Sequence, residues 1–436
     1  MPDYILGLYC NGARGIRTSK DVQDTAAQNL ETLLATLAAN QGALSCFKRI
    51  LVRYSRDNAE YARRASVGPG GNIVQLWSGI RDFDLRSLGG TTLSPASGAV
   101  VNAAPYFMLS AAGLQSFVSQ MQFDAPDNLV LWCWGHGQGP GVAISFTEQN
   151  LSLQMKASHY QASLINHLKA AKSELLTPGE IELALANALP SGKKLALINF
   201  ESCSVCTLEL ASSVIAAAKF MIASQAEIDS QRGWQYASWP SVFCERATSS
   251  IDAIATGLVE NYYAGHAEGT CITLLDLTKV PELLFKVGAV ATKALADDAL
   301  AAVLVTARKR CFATHSQMQA ATLGAKQRVD MGMLFMDAAN LLEGREEPQF
   351  ASFAADCHAV LNAMDAVIRK CFATPDLRPL ARGLSIWFPY DNTADSITEY
   401  STYVYFADTS GVEPELTEFK KHTKWDQFIK KALPKL

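Results

Sequence analysis

The chain has 436 residues, of which 49% are hydrophobic and 18% charged, and its net charge is −4. That composition is ample for a large globular core and excludes an intrinsically disordered protein. Charges of both signs are scattered, which removes the basic field that a nucleic-acid or anionic-membrane partner needs, and no run of about twenty apolar residues is present to span a bilayer.

Met1-Pro2-Asp3 passes straight into an apolar stretch, without the charged head and cleavable hydrophobic segment of a secretory signal. The ten cysteines are irregularly spaced and sit mostly inside apolar runs, a pattern of reduced thiols rather than of a disulfide framework. A cytoplasmic protein with neither nucleic-acid nor membrane partners is the expectation.

Tyr4 to Tyr9 reads as the first strand, and Asn11 to Thr18 as a loop. Asp21 is placed to cap a helix carrying Leu30, Leu33, Leu34 and Leu37 on one face. Phe47 to Tyr54 is the next strand. Ser55 to Gly71 is polar, contains arginines and reads as a solvated loop, and residues 82 to 106, rich in small residues, read as a long irregular connection. Ala111 to Met121 is an amphipathic helix. It leads into Leu129 to Trp134, a buried strand that ends in Gly135-His136-Gly137-Gln138-Gly139.

Thr147 to Leu176 is an insertion containing Lys156, His159, His167, Lys169 and Lys172. Thr177 and Glu180 then stand at capping-box spacing around Pro178, which predicts a helix start. Leu195 to Phe200 is a continuous apolar run, followed by Glu201-Ser202-Cys203-Ser204 and by Leu208, Leu210, Ala211 and Val214 at helical spacing. Further along, Phe220 to Ser224 is a strand, Ala226 to Gln235 a polar loop with Asp229 and Trp234, Ile251 to Tyr263 a helix and Thr270 to Leu275 a strand. Long helical patterns cover Val280 to Leu304 and Phe350 to Phe372, with a turn at 343 to 348, before Gly383 to Phe388 returns as a strand. The alternation of strands and helices predicts an α/β fold with a mainly parallel sheet covered on both faces.

In such sheets the carboxyl ends of the strands carry the chemistry. Two buried strands each deliver one reactive side chain there, Cys203 and His136, which is the requirement for a Cys/His dyad. A helix starting just after Cys203 would aim its positive end at the sulfur and favour thiolate. Gly137 leaves its N–H open to form an oxyanion hole with the N–H of Cys203. His136 is the only one of seven histidines that sits at a strand end beside glycines. Cys203-Ser204-Val205-Cys206 is also formally C-x-x-C, a redox or half-zinc pattern, although no second such pair completes a metal site. Gly135 to Gly141 matches neither nucleotide-binding glycine motif.

Trp134-Gly135-His136-Gly137 and Phe200-Glu201-Ser202-Cys203 with the Leu208-Glu209-Leu210-Ala211 helix resemble the clostripain-like cysteine peptidases of the caspase-type clan. Ala223-Ser224-Gln225, Gly233-Trp234-Gln235-Tyr236, Val329-Asp330-Met331-Gly332, Gly383 to Pro389 and Thr423-Lys424-Trp425 continue the resemblance in order along nearly the whole chain. It implies a caspase-like three-layer sandwich with a helical C-terminal elaboration. The implied parts are a peptidase core over 1–278, a helical subdomain over 279–382, and a returning strand with a C-terminal tail packed on the core over 383–436.

The implied activity is endopeptidase cleavage of polypeptides after Arg or Lys, with Cys203 as nucleophile and His136 as general acid/base. Glu201 stands where relatives commonly carry an Asp in the pocket for the residue preceding the cleaved bond, and Asp229 would add a second carboxylate. Ser224 and Trp234 complete the expected substrate-binding set. The resemblance makes 147–178 a candidate activation linker, cut after Lys156, with Lys169 and Lys172 behind it, by the protein itself or by an activating protease. No cofactor is required for thiol chemistry, while some relatives depend on calcium. Two alternatives stay open here: a catalytically silent regulatory or scaffold protein of the same fold, and a protease activated in trans in a bacterial defence or cell-death pathway.

Overall fold

The structure, a computed structural model, describes residues 4–11, 29–30, 32–33, 35–36, 46–56, 79–86, 96–101, 108, 110–121, 128–135, 176–228, 234–245, 249–266, 268–317, 328–391 and 418–436. Along the chain these form β1 (Tyr4–Asn11), β2 (Phe47–Arg56), β3 (Gly79–Arg86), β4 (Ala96–Val101), α1 (Ala111–Gln120), β5 (Asn128–Trp134), α2 (Pro178–Ala188), β6 (Leu195–Glu201), α3 (Leu208–Val214) and β7 (Ala218–Ser224). There follow α4 (Trp239–Glu245), α5 (Ile251–Ala264), β8 (Cys271–Asp276), α6 (Val280–Ala296), α7 (Asp298–Gln317), β9 (Arg328–Asp330), α8 (Met331–Asn340), α9 (Pro348–Val367), β10 (Ile368–Ala373), β11 (Ser385–Trp387), α10 (Glu418–Thr423) and α11 (Trp425–Ala432).

Nine of the described strands make one sheet, in the order β10-β8-β7-β6-β5-β1-β2-β3-β4. Its centre, β2-β1-β5-β6-β7, is parallel, and antiparallel strands extend both edges. The central strands are buried on both faces, so their side chains alternate between two cores. Leu131, Ile198, Phe200 and Met221 face α1, α2, α3, α6 and the C-terminal helices, while Val130, Trp132, Leu197 and Ile222 face α4 and α5. This is a three-layer α/β sandwich with a mainly parallel central sheet.

Local chemistry explains where the elements begin. Thr177 accepts from the Glu180 N–H at 3.3 Å while the Glu180 carboxylate accepts from the Thr177 N–H at 2.9 Å, the capping box expected around Pro178. On the far side, Gly288 lets α6 approach the chain end of α10, because a Cβ there would run into the His422 carbonyl. Among the described helices none is long and apolar enough to cross a membrane.

Four stretches depart from the sequence reading. Part of the 82–106 connection is the pair β3 and β4, in which Phe83 and Leu85 alternate with Asp82 and Asp84, and the small residues of β4 mask its strand character. The helical pattern over Phe350 to Phe372 stops at Val367, and Ile368 onward pairs with β8, so the helical stretch leads back into the main sheet. The helix α8 went unread, and Val280 to Leu304 is two helices separated at Asp297. Asp21, Leu34, Leu37, the loop beyond Arg56 and the insertion from Thr147 to residue 175 lie outside the described residues.

Candidate active site

β6 is buried along its whole length and pairs in parallel with β5, in the register Val130↔Leu197 through Trp134↔Glu201. Gly135 continues the alignment, donating its N–H to the Glu201 carbonyl at 3.3 Å. The two strands therefore end level, at the same edge of the sheet. Cys203 follows two residues after Glu201. His136 and Gly137, which follow Trp134, lie outside the described residues, as does Asp229.

Cys203 is half-buried, and its sulfur accepts the Ile228 N–H at 3.2 Å. The thiol also donates to the Ile228 carbonyl at 3.7 Å, so the backbone of Ile228 fixes the side chain through both its polar groups. Directly after it, Ser204 takes φ +57°, the left-handed region that non-glycine residues seldom adopt. That residue is held there by its N–H donating to the Ala226 carbonyl at 2.8 Å, while Cys206 donates to the Ser224 carbonyl at 2.9 Å. The turn carrying the thiol is thus paired to the turn after β7.

These pairings correct the expected helix start. α3 begins only at Leu208, capped by the Thr207 hydroxyl accepting from the Leu210 N–H, so Ile228 rather than a helix end supplies the donor at the Cys203 sulfur. The C-x-x-C pair divides as well: Cys206 is fully buried and its thiol donates to the Gly383 carbonyl at 3.1 Å.

Glu201 points to the opposite layer. Its Oε2 accepts from Trp132 Nε1 at 2.8 Å and from the Tyr236 hydroxyl at 2.5 Å, and its Oε1 from the Trp234 N–H at 3.3 Å. Burial pushes its carboxyl up to about 7, against the pull of those donors. The Trp234 ring is 2% exposed, edge-on to Trp132 at 4.7 Å and tilted against Tyr262 at 4.9 Å. It packs the layer beneath α5 rather than lining an open substrate groove, which corrects the expectation for this side chain. Ser224 is corrected too. Its fully buried hydroxyl shares its proton between the Ala226 and Cys271 carbonyls, so it shapes the turn and is not presented to a ligand.

Gln225 is the residue whose importance the sequence hid. Its buried Nε2 donates to Asp330 Oδ2 at 3.0 Å and to Ser385 Oγ at 2.8 Å, and its Oε1 accepts the Gly383 N–H at 2.7 Å. Asp330 also caps α8 through Met333 and accepts the Arg382 N–H at 2.7 Å. Ser385 then donates its N–H to the Cys206 carbonyl at 3.0 Å, and Trp387 donates its own to Glu209 at 2.8 Å. Gly383 needs to be glycine, since its φ is +105° and a Cβ would crowd Cys371 and Thr273. The Cys203 turn is therefore clamped between the turn after β7 and β11. The only forewarning in the sequence was that Gln225, Asp330 and Ser385 fall inside the short ordered motifs.

Among the described residues no group of three or more His, Cys, Asp or Glu side chains could hold a metal ion, so the calcium implied by resemblance finds no such cluster there. Lys156, Lys169 and Lys172 lie outside the described residues.

Comparison with known proteins bears on this arrangement. Among solved structures, a secreted C11 cysteine protease from Bacteroides thetaiotaomicron, in complex with an irreversible peptide inhibitor, aligns over 98% of this chain and 100% of its own at 12% identity and a TM-score of 0.55. A second structure of a secreted C11 protease from that organism, described as iotapain, covers 91% of this chain and 99% of its own at 13% identity and a TM-score of 0.52. An inactive zymogen C11 protease from Parabacteroides distasonis covers 92% and 97% at 15% identity and a TM-score of 0.51. At such identities these likenesses establish the fold. No curated protein matches the sequence. The model of the clostripain family, peptidase C11, matches residues 108–431, which span β5, the Cys203 turn, the Gln225 clamp and the C-terminal helices. The chain belongs to the clostripain family of cysteine peptidases.

Proposed function

We propose that the protein is an endopeptidase in which Cys203 attacks the scissile carbonyl and His136 gives a proton to the departing amine. The supporting observation is the level ending of β5 and β6: Trp134 pairs with Glu201, and His136 and Cys203 each follow two residues later. Attack forms a thioester on Cys203, the amine leaves with the proton from His136, and water hydrolyses the thioester. The N–H groups of Cys203 and Gly137 are the candidate donors to the oxyanion. No organic cofactor enters this sequence of steps.

Cleavage after Arg or Lys is the preferred specificity. Of the two expected counter-charges, Glu201 is buried and spends its carboxylate on Trp132, Trp234 and Tyr236, so the pairing with a cationic side chain is assigned to Asp229. The protein is further proposed to be made as a zymogen activated by a cut in the 147–178 linker, at Lys156, Lys169 or Lys172. One structural neighbour is an inactive zymogen, which agrees with that reading.

Fluorogenic peptides with basic or neutral residues before the cleaved bond test these roles together. Wild type should cleave after Arg or Lys, Cys203→Ala should be inert, and His136→Ala should lose about 10²-fold or more in kcat. Turnover surviving in Cys203→Ala would remove the assigned nucleophile. Fragment sequencing after incubation of the pure protein would locate the activating cut and separate self-processing from processing in trans.

A further inference from the structure

Cys46 and Cys244 are 198 positions apart in the sequence, yet their sulfurs stand 2.9 Å from each other. The closeness has a structural cause on both sides. Cys46 immediately precedes the first residue of β2, and its carbonyl accepts the Tyr4 N–H at 3.2 Å, which fixes it against β1. Cys244 lies in the last turn of α4. The residues next to them, Phe47 and Phe243, pack ring against ring at 5.1 Å, and Tyr4 meets Phe243 edge-on at 5.2 Å. The flanking rings hold the strand start and the helix end in register, so the sulfur pair is set by the core and not by chance side-chain wandering. Cys271 and Cys371, by comparison, are 3.8 Å apart.

We propose that Cys46 and Cys244 form a disulfide that staples β2 to α4, and that this bond keeps the protein covalently in one piece when the 147–178 linker is cut. The sulfurs need to close only from 2.9 Å to about 2.05 Å. The electron acceptor is a low-molecular-weight disulfide. One cysteine thiolate attacks a sulfur of the acceptor and expels a thiolate. The second cysteine, losing its own proton, attacks the protein sulfur of that mixed disulfide and expels the other. One acceptor disulfide becomes two thiols, and the protein gives up two electrons and two protons.

Burial and the neighbouring Cys46 hold the Cys244 thiol up at about 12, so exchange in the folded protein is slow and the bond forms best while the chain folds. Of the two sulfurs, Cys46 is buried and Cys244 is half-buried, so the bond would be open to reductant from the Cys244 side. The consequence follows from chain order. Cys46 lies before the linker and Cys244 after it, as do Cys10 and Cys133 before and the remaining cysteines after. A cut anywhere in 147–178 would leave two chains, joined by this bond. The tethering of a processed enzyme rests on the activation reading given above, whereas the bond itself does not. The bond departs from the reduced thiols that cysteine spacing leads one to expect, because spacing carries no information on which sulfurs the fold brings together.

The test uses the full-length chain in glutathione buffers of increasing oxidised fraction, both as purified and after urea unfolding and refolding in the same buffers, with acid quench, alkylation and peptide mapping. The peptides carrying Cys46 and Cys244 should appear as one linked species, two hydrogens lighter than their sum. Separate, singly alkylated peptides in the most oxidising buffer after both treatments would overturn the proposal. In parallel, a site for a specific protease inserted in 147–178 is cut. The product should run as one band in denaturant without reductant and as two with it, while Cys46→Ser and, independently, Cys244→Ser give two bands in both lanes and retain peptidase turnover. Fragments of the unsubstituted chain that separate without reductant would also overturn the bond. Failure of natural processing in the linker, with the linked peptide present, would instead count against the activation reading alone.

Discussion

Ser204 illustrates how one residue sets the geometry of the thiol before it. Its φ of +57° is held by the Ala226 and Ser224 carbonyls on either side of the turn. Ser204→Gly should leave kcat within about twofold and stability unchanged or slightly higher, whereas Ser204→Val should cost about 1–3 kcal/mol and lower kcat. Equal kinetics and equal urea midpoints in the two variants would show that the left-handed turn is not needed. Glu201 makes a prediction with a pH signature. Its carboxyl is raised to about 7 from an ordinary 4.5, so the folded state binds the proton more tightly than the unfolded state between those values. The contribution of Glu201 to stability therefore falls as pH rises from about 4.5 to 7 and is level above it, a loss on the order of 3 kcal/mol. Glu201→Gln, which cannot ionise, should lack that slope, so its deficit relative to wild type at pH 5 should shrink by pH 8. Parallel stability curves for the two proteins would contradict the assignment.

At the scale of elements, the short strands that carry the site are legible in the sequence because β5 and β6 are apolar runs ending in polar turns, a pattern with few competing readings. The start of α3 was not legible. Val205 and Cys206 are apolar and look like a first helical turn, but both backbone groups of Cys206 are taken by Ser224 and Ser385, from segments remote in the chain. β10 was hidden in the same way, since pairing with β8 overrides a helical pattern that local preference would have continued. Ser224 and Trp234 turn into the interior, which was not legible because sequence does not say which way a side chain faces, at a strand end for Ser224 or in the loop before α4 for Trp234. The clamp built on Gln225 is the long-range feature on which the Cys203 turn depends. Gln225→Ala would leave the buried Asp330 and Ser385 groups and the Gly383 N–H without that partner, at about 1–3 kcal/mol for each orphaned group. The variant should unfold at lower urea and lose roughly tenfold or more in kcat, equivalent to about 1.4 kcal/mol of the barrier, with KM changing less. Normal kcat in a destabilised variant would reduce Gln225 to a purely structural residue.

Over the whole molecule, the C-terminal segment is tied to the site across a long chain separation. Trp425 donates its indole N–H to the Trp387 carbonyl at 2.9 Å and packs on Phe388 and Phe428, and Arg308 donates to the Phe388 carbonyl. Trp387 in turn reaches Glu209 of α3, so the tail, β11 and the helix after Cys203 are one connected body. Gly288→Ala should strain the seating of α10 on α6 and cost about 1–3 kcal/mol, read as a lower urea midpoint; an unchanged midpoint would mean that the helices can move apart freely. All of this holds the Cys203 turn at the tip of β6, where the proposed mechanism requires the His136 imidazole beside the sulfur. The most direct test is to treat wild type and His136→Ala with a peptidyl chloromethyl ketone ending in Arg or Lys and to locate the adduct by peptide mass mapping. The account predicts a single adduct on Cys203 in wild type, formed much more slowly in His136→Ala; an adduct on another cysteine, or equal labelling of Cys203 in both proteins, would contradict it.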